Sequence, residues 1–418
     1  MNTLSELLSG KLKGTKSLKI SENLRSFPSE IFELSDTLEF LDLSNNALSS
    51  IPKEIAGLKK LKIAFFSNNL FKSVPSEFKA CENLYMLGFK SNQIETFDED
   101  ILPLSISWLI LTDNKMKSLP LSIGKLEKLQ KFALAGNSLV ELPSSMANCR
   151  NLELLRLSAN NIHEIPSWLF KLPKLAWFAF SGNPCVISSE STLKEVAFDD
   201  LDIKELLGQG ASGEIFKAYS KVLDKDVAIK FFKGMVTSDG YAKDEMNACM
   251  SAGEHKNLIK VFAKISEDER LGLLLEYIPP TFQNLGYPPN FDTCTRDTYE
   301  EGIDFSIEAV YTVAKAIASA AEHLHNNGLM HGDLYAHNIL INNEYRCYLG
   351  DFGAASFYDT DYKAYEKIEV RAFGCLLEDM LTRCGEKENT IYHSLDKLRY
   401  RCMSENIDER PLFSEIEF

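Results

Sequence analysis

Apolar positions recur along residues 15–185 with a period near 23, in the pattern L-x-x-L-x-L-x-x-N-x-L-x-x-I-P, as in LEFLDLSNNALSSIP and LELLRLSANNIHEIP. Asparagines keep the register at Asn23, Asn46, Asn69, Asn92, Asn114, Asn137, Asn160 and Asn183; every interval is 23 except the 22 between Asn92 and Asn114. The alternation before each asparagine predicts a short strand. Leu41/Leu43, Leu87/Phe89, Leu109/Leu111, Leu134 and Leu155/Leu157 point inward from these strands, and each asparagine amide satisfies backbone groups where the chain turns off. Units of this size bury a core only by stacking, so they predict a solenoid with parallel strands along a concave face.

The positions between the inward leucines, four and six places before each asparagine, include Phe40, Phe65, Trp108, Ile110 and Trp177. A row this apolar predicts either a protein-binding face or a surface covered by other parts of the chain. Over residues 15–185 the sequence resembles the leucine-rich-repeat family. The resemblance implies an α/β solenoid of about seven to eight repeats with a partner on its concave face, at Phe65, Trp108, Ile110 and Trp177.

The periodicity stops at Asn183-Pro184, and a short polar stretch follows. We place the first domain at 1–190, a linker at 191–199 and a second domain at 200–418. The second domain opens with LLGQGASGEIFKAYS, in which Gly208, Gly210 and Gly213 form G-x-G-x-x-G with Ile215 behind. In a dinucleotide-binding fold a helix would follow the third glycine. Here EIFKAYS, a turn at Asp224-Lys225 and DVAIKFF predict a β-hairpin instead. Val227-Ala228-Ile229-Lys230 matches V-A-I-K, and Glu245 on the following helical stretch is placed to hold the lysine. HGDLYAHNIL supplies His331, Asp333 and Asn338; Asp351-Phe352-Gly353 follows, and EVRAFGCLLEDML and RCMSENIDERPLFSEI close the series.

These motifs, in this order, resemble the eukaryotic-type protein kinase family over residues 200–418, implying a bilobal α+β domain and making the whole a multidomain protein. The resemblance implies ATP and Mg²⁺ as cofactors. Gly208, Gly210, Gly213, Ile215, Ala228, Lys230, Glu276, Ile278 and Leu340 would surround the nucleotide, with Leu275 guarding the back pocket. Lys230 would hold the α/β-phosphates, Asn338 and Asp351 the metal, and Asp333 would accept the substrate hydroxyl proton.

The pattern also departs from the family. Gly332 stands where an arginine grips an activation-segment phosphate, so that switch loses its receiver. Tyr335 replaces the lysine that steadies the transferring phosphate. His337 lies four residues after Asp333 and is the candidate replacement cation, the alternative being a solvent-side spacer. Glu369 follows Asp351 by only 18 positions with no A-P-E between, which removes the usual platform for a peptide substrate. Residues 279–305 add material beyond the hinge, either a replacement platform or an ordinary ordered loop.

Charge separates the halves. Residues 1–194 carry 22 Lys+Arg against 20 Asp+Glu, and residues 195–418 carry 23 against 40, giving +2 and −17 within the total of −15. The acidic half argues against nucleic acid as a partner. Nine cysteines occur without a C-x-x-C pair, no apolar run approaches a membrane span, and the first residues lack a secretory apolar core. The expectation is a cytoplasmic enzyme. With Lys230, Glu245, Asp333, Asn338 and Asp351 all present, it is an ATP-dependent protein kinase, serine/threonine rather than tyrosine, with a protein substrate. The alternatives are a pseudokinase scaffold and a small-molecule phosphotransferase.

Overall fold

The computed structural model describes residues 1–187, 194–210, 213–233, 237, 239–267 and 270–418. They form two compact units: Met1–Leu172 with Asn183–Cys185, and Pro173–Gly182 with Val186–Phe418. Of the expected linker, residues 191–193 lie outside the described residues.

The first unit begins with α1 (Leu4–Leu8), whose Thr3 and Glu6 form a capping box. Seven short strands follow: β1 (Ser17–Lys19), β2 (Phe40–Asp42), β3 (Ile63–Phe65), β4 (Met86–Gly88), β5 (Trp108–Ile110), β6 (Lys131–Ala133) and β7 (Leu154–Arg156). Each pairs in parallel with the next. All the leucines and phenylalanines expected to face inward are fully buried. Asn137 illustrates the asparagine ladder. Its Nδ2 donates to Leu111 O at 2.9 Å and Leu134 O at 3.0 Å, and its Oδ1 accepts the Met116 N–H at 3.1 Å. One amide therefore ties two successive coils. Prolines 52, 75, 120 and 143 each start a 3-10 turn on the return path. The 22-residue interval falls where Asp98 replaces that proline.

The apolar row is less open than its spacing predicts. Phe65 and Ile110 are partly exposed, but Trp108 is buried, with the Lys131 ammonium 4.2 Å from its ring centre. Neighbouring parallel strands run about 4.8 Å apart, so large side chains on a concave surface cover one another. Trp177 corrects the expectation of a partner face outright. It is 1% exposed, and the ring covering it is Tyr335, at 4.3 Å and 5°.

The second unit takes in β8 (Trp177–Ala179) and then an antiparallel sheet of β9 (Leu201–Gln209), β10 (Gly213–Ser220), β11 (Lys225–Phe232), β12 (Val261–Glu267) and β13 (Arg270–Glu276). Their order is β12-β13-β11-β10-β9, and α2 (Ala242–Ser251) lies between β11 and β12 in sequence. Leu201, Ala218, Val227, Ile229, Ala263, Ile265 and Leu274 form the core of this part.

The rest is mainly helical. Short β14 (Gln283–Asn284), α3 (Ile307–Asn326), β15 (Leu329–Met330), β16 (Ile339–Ile341), β17 (Cys347–Leu349) and β18 (Ser356–Phe357) precede α4 (Ala364–Thr382) and α5 (Thr390–Cys402). Helix α3 starts at Ser306, whose hydroxyl accepts the Ala309 N–H. It buries Val310, Val313, Ala314, Ile317, Ala321 and Leu324, an i, i+3, i+4 stripe facing the core. The chain is thus multidomain: a solenoid of parallel strands, then a sheet-plus-helix domain of two parts.

Candidate active site

The three glycines sit at the β9–β10 turn for different reasons. A Cβ on Gly213 would lie 2.1 Å from Phe231 O, so no other residue fits there. Above Gly208 and Gly210 nothing lies within 4 Å of such an atom, so the backbone there is open to a close approach. Gly210 N–H donates to Gly213 O at 2.9 Å and closes the turn; its tip, residues 211–212, lies outside the described residues. Strand register then lines up the expected nucleotide residues. Ile215 is opposite Gly208 on one side and Lys230 on the other, Ala228 is opposite Leu275, and Val227 is opposite Glu276. Ile278 follows β13 and is partly buried. Leu340 lies on β16, paired with Asn284 and Tyr348.

Lys230 Nζ donates to Glu245 Oε1, the partner expected from sequence, and lies 4.0 Å from Asp351 Oδ1. Burial works against the lysine's charge, but the carboxylates of Glu245 and Asp351 outweigh it and hold its pKa above the ordinary value. Burial raises the Glu245 carboxyl to about 7, with Lys230 pulling the other way. Asp351 is half exposed and takes a left-handed φ of 57°. Backbone strain of this kind collects at functional sites.

The candidate catalytic loop, residues 331–338, is held by Glu369, on α4. Its Oε1 accepts Gly332 N–H at 2.6 Å and its Oε2 accepts His331 N–H at 3.1 Å. Full burial works against the Glu369 carboxylate, but the neighbouring His325 and His331 rings and the Gly332 N–H outweigh it and keep its pKa below the usual range. The His331 ring lies 2.9 Å from Gly350 O, joining this loop to the segment before Asp351. Asn338 Nδ2 donates to Asp333 O at 2.9 Å and to Asp333 Oδ2 at 3.0 Å. Asp333 and Asn338 are therefore fixed to each other.

Sequence reasoning missed the partner of His337. Asp297, buried within residues 279–305, places Oδ1 2.7 Å from His337 Nδ1 and accepts the His337 N–H on Oδ2 at 3.1 Å. Burial opposes charge on the imidazole, but Asp297, with Asp333 and Asp351, raises its pKa above the ordinary value. The added segment is well anchored. Arg296 pairs with Glu378 and Asp379 of α4 at 2.7 and 2.6 Å, and β14 pairs with β16. The fixed spacing of kinase motifs gave no signal for Asp297, because it lies in material the pattern lacks.

The donor set suits Mg²⁺. Among the described residues no group of three or more His, Cys, Asp or Glu could hold a metal. A Mg²⁺ shared by one carboxylate, one amide oxygen and the nucleotide's own phosphates needs no such group. Asp351 offers the carboxylate. Because Asn338 commits its amide nitrogen to Asp333, its oxygen is the atom left for a cation.

Comparison with known proteins agrees with this geometry. The protein kinase domain profile matches residues 201–384, and the leucine-rich-repeat profile matches 37–58 and 151–172. A serine/threonine-protein kinase of Dictyostelium discoideum, fray1, is 31% identical over 157 residues, covering 37% of this chain and 26% of its own length. Cyclin-dependent kinase 12 of Caenorhabditis elegans is 22% identical over half of this chain and 32% of its own length. Fibroblast growth factor receptor 1 of Xenopus laevis is 28% identical over 38% of this chain and 21% of its own length. The chain thus spans about a third or less of each of these relatives. A solved leucine-rich-repeat protein of Leptospira interrogans is 26% identical, with a TM-score of 0.36, over 43% of this chain and 52% of that one.

Proposed function

From a chain that joins leucine-rich repeats to a protein kinase domain, we infer an ATP-dependent kinase that phosphorylates serine or threonine of a protein substrate. We also infer that its solenoid holds that substrate or a partner, and that it works in the cytoplasm. No helix among the described residues is long and apolar enough to cross a membrane.

The observation that carries this reading is the assembled set: Lys230 on Glu245, Asp351 within 4.0 Å of Lys230, and Asn338 on Asp333. A chain kept only as a scaffold has no reason to maintain all of these. Lys230 holds the nucleotide phosphates, Asp351 and Asn338 hold Mg²⁺, and Asp333 orients the attacking hydroxyl and takes its proton. Bound Mg²⁺ supplies neutralisation of charge on the phosphates. We assign the contact with the transferring group to the other ring nitrogen of His337, which Asp297 holds through Nδ1. Its positive charge takes the role of the cation lost at Tyr335.

A second reading has one observation in its favour. The segment after Asp351 is short, α4 starting already at Ala364, so the usual peptide platform is missing. That would suit a small-molecule acceptor. Incubation with radiolabelled ATP, Mg²⁺ and a generic acceptor protein, with Asp333→Asn as control, tests the main reading. Label on protein that depends on Asp333 supports it; Mg·ATP binding without any transfer would leave a scaffold.

A further inference from the structure

The segment Pro173–Gly182 is, by sequence, the last turn of the repeat pattern, yet it packs as part of the catalytic unit. Its contacts fall on the elements that control phosphotransfer. Arg410 Nη2 donates to Pro173 O at 2.7 Å, and Arg371 Nε donates to Lys174 O at 3.1 Å. Phe180 N–H donates to Ser356 Oγ at 2.9 Å, in the segment after Asp351. The Phe180 ring lies 5.1 Å from that of Tyr365 on α4. Gly182 approaches Asp244, beside Glu245, so closely that a Cβ would come within 2.6 Å of its Oδ2.

The closest engagement is with the catalytic loop. Trp177 Nε1–H donates to Leu334 O at 3.1 Å, and the Trp177 ring stacks on Tyr335 at 4.3 Å. Tyr335 in turn lies 4.9 Å from the His337 ring. The Phe178 carbonyl occupies the space where residue 332 would carry a side chain, 2.7 Å from a Cβ built there. Two of the departures from the kinase pattern, Gly332 and Tyr335, are thus among the residues that this segment covers.

We propose that Trp177 is a positioning residue for phosphotransfer, holding residues 334–335 so that Asp333 and His337, on either side of them, keep their places. This rests on the kinase reading above. The indole N–H fixes the Leu334–Tyr335 peptide plane, one residue beyond Asp333, and the stack fixes the side chain between Asp333 and His337. Both constraints come from a folded neighbour rather than from a phosphate. The loop therefore needs no modification to be set, which accounts for a loop without the phosphate-gripping arginine. Misplacement of reacting groups by about 1 Å costs on the order of 100-fold in rate, so the effect belongs in kcat.

The test uses the full-length protein, with Mg·ATP and a generic acceptor protein at saturation. Trp177→Phe keeps a stacking ring and loses the donor; Trp177→Ala loses both. The expected order of kcat is wild type, then the phenylalanine variant lower by about 3-fold, then the alanine variant lower by about 10- to 100-fold, with KM for ATP unchanged. Amide exchange of residues 331–338 is expected to rise in the same order. A kcat and an exchange pattern equal to wild type in a folded Trp177→Ala chain overturn the proposal. If the alanine variant fails to fold, the phenylalanine variant decides by the same two readouts. Should wild type transfer no phosphate at all, the kinase reading falls. Amide exchange then still decides whether Trp177 sets this loop.

Discussion

Asp297 and His337 form a carboxylate–imidazole pair, Oδ1 to Nδ1 at 2.7 Å, two residues beyond the stacked Tyr335. The carboxylate comes from residues 279–305 and the imidazole from the catalytic loop. The pair therefore exists only because the added segment folds back onto α4 through Arg296.

Replacing His337 with alanine is expected to lower kcat by about 10- to 100-fold, the scale of losing one preorganised contact to developing charge. Arginine at this position should keep most of the activity. Steady-state kinetics on the three proteins at saturating ATP checks this, and an unchanged kcat for the alanine variant returns His337 to a passive role.

The pair also sets a pH dependence. The native pKa of His337 is raised above its ordinary value of 6.5. The stability it contributes is therefore full below the unfolded value and is lost as pH rises through the folded one. Activity that needs the cation should fall over the same rise. In Asp297→Asn the raising partner is gone, so the fall in kcat should move to lower pH. Identical pH profiles for wild type and Asp297→Asn would count against the pair.

Gly332 invites restoration of the family arginine, and the structure predicts that this harms the protein. Its φ is +74°, and a Cβ would sit 2.6 Å from Ala354 O and 2.7 Å from Phe178 O. Gly332→Ala should cost about 1–3 kcal/mol from the left-handed backbone alone. Gly332→Arg should cost more and lower activity. Chemical denaturation of the two variants gives the answer; an arginine variant as stable as wild type would show that Phe178 moves aside freely.

For nucleotide binding, Mg·ATP at about 100 times its Kd should stabilise the wild-type catalytic unit by about 2.7 kcal/mol. Lys230→Met and Asp351→Ala should lose most of that gain. Thermal shift with and without Mg²⁺ measures it, and equal shifts in all three proteins would rule out the assigned phosphate and metal contacts.

In the solenoid, Asn137→Ala leaves the Met116 N–H without its acceptor, while Leu111 O and Leu134 O keep the donors of Asn114 and Asn160. A buried group left without a partner costs about 1–3 kcal/mol, so a loss of that size is expected from urea unfolding of the full chain. A loss under 1 kcal/mol would mean that water replaces the side chain.

What could be read from sequence was whatever repeats or keeps a fixed spacing. The 23-residue asparagine register gave the coils, the buried leucines and the ladder bonds. The order from Gly208 to Asp351 gave Lys230 on Glu245, but neither the bond from Asn338 to Asp333 nor the Glu369 carboxylate on the loop backbone. Pairings between segments without a shared pattern stayed hidden. Asp297 reaches His337 across 40 residues, and Trp177 reaches Leu334 across 157. Neither separation leaves a periodic trace. Trp177 was misplaced for the same reason: its interval matches the other repeats, but the interval does not say which surface covers it.

The contact at Gly332 also constrains descent. Any side chain gained at this position meets the Phe178 carbonyl, and any repeat brought in by recombination meets a loop shaped for this one. The glycine and the final repeat therefore fit as a matched pair. A chimera that exchanges the repeats should succeed when the crossover lies before Pro173 and fail when it lies after Gly182.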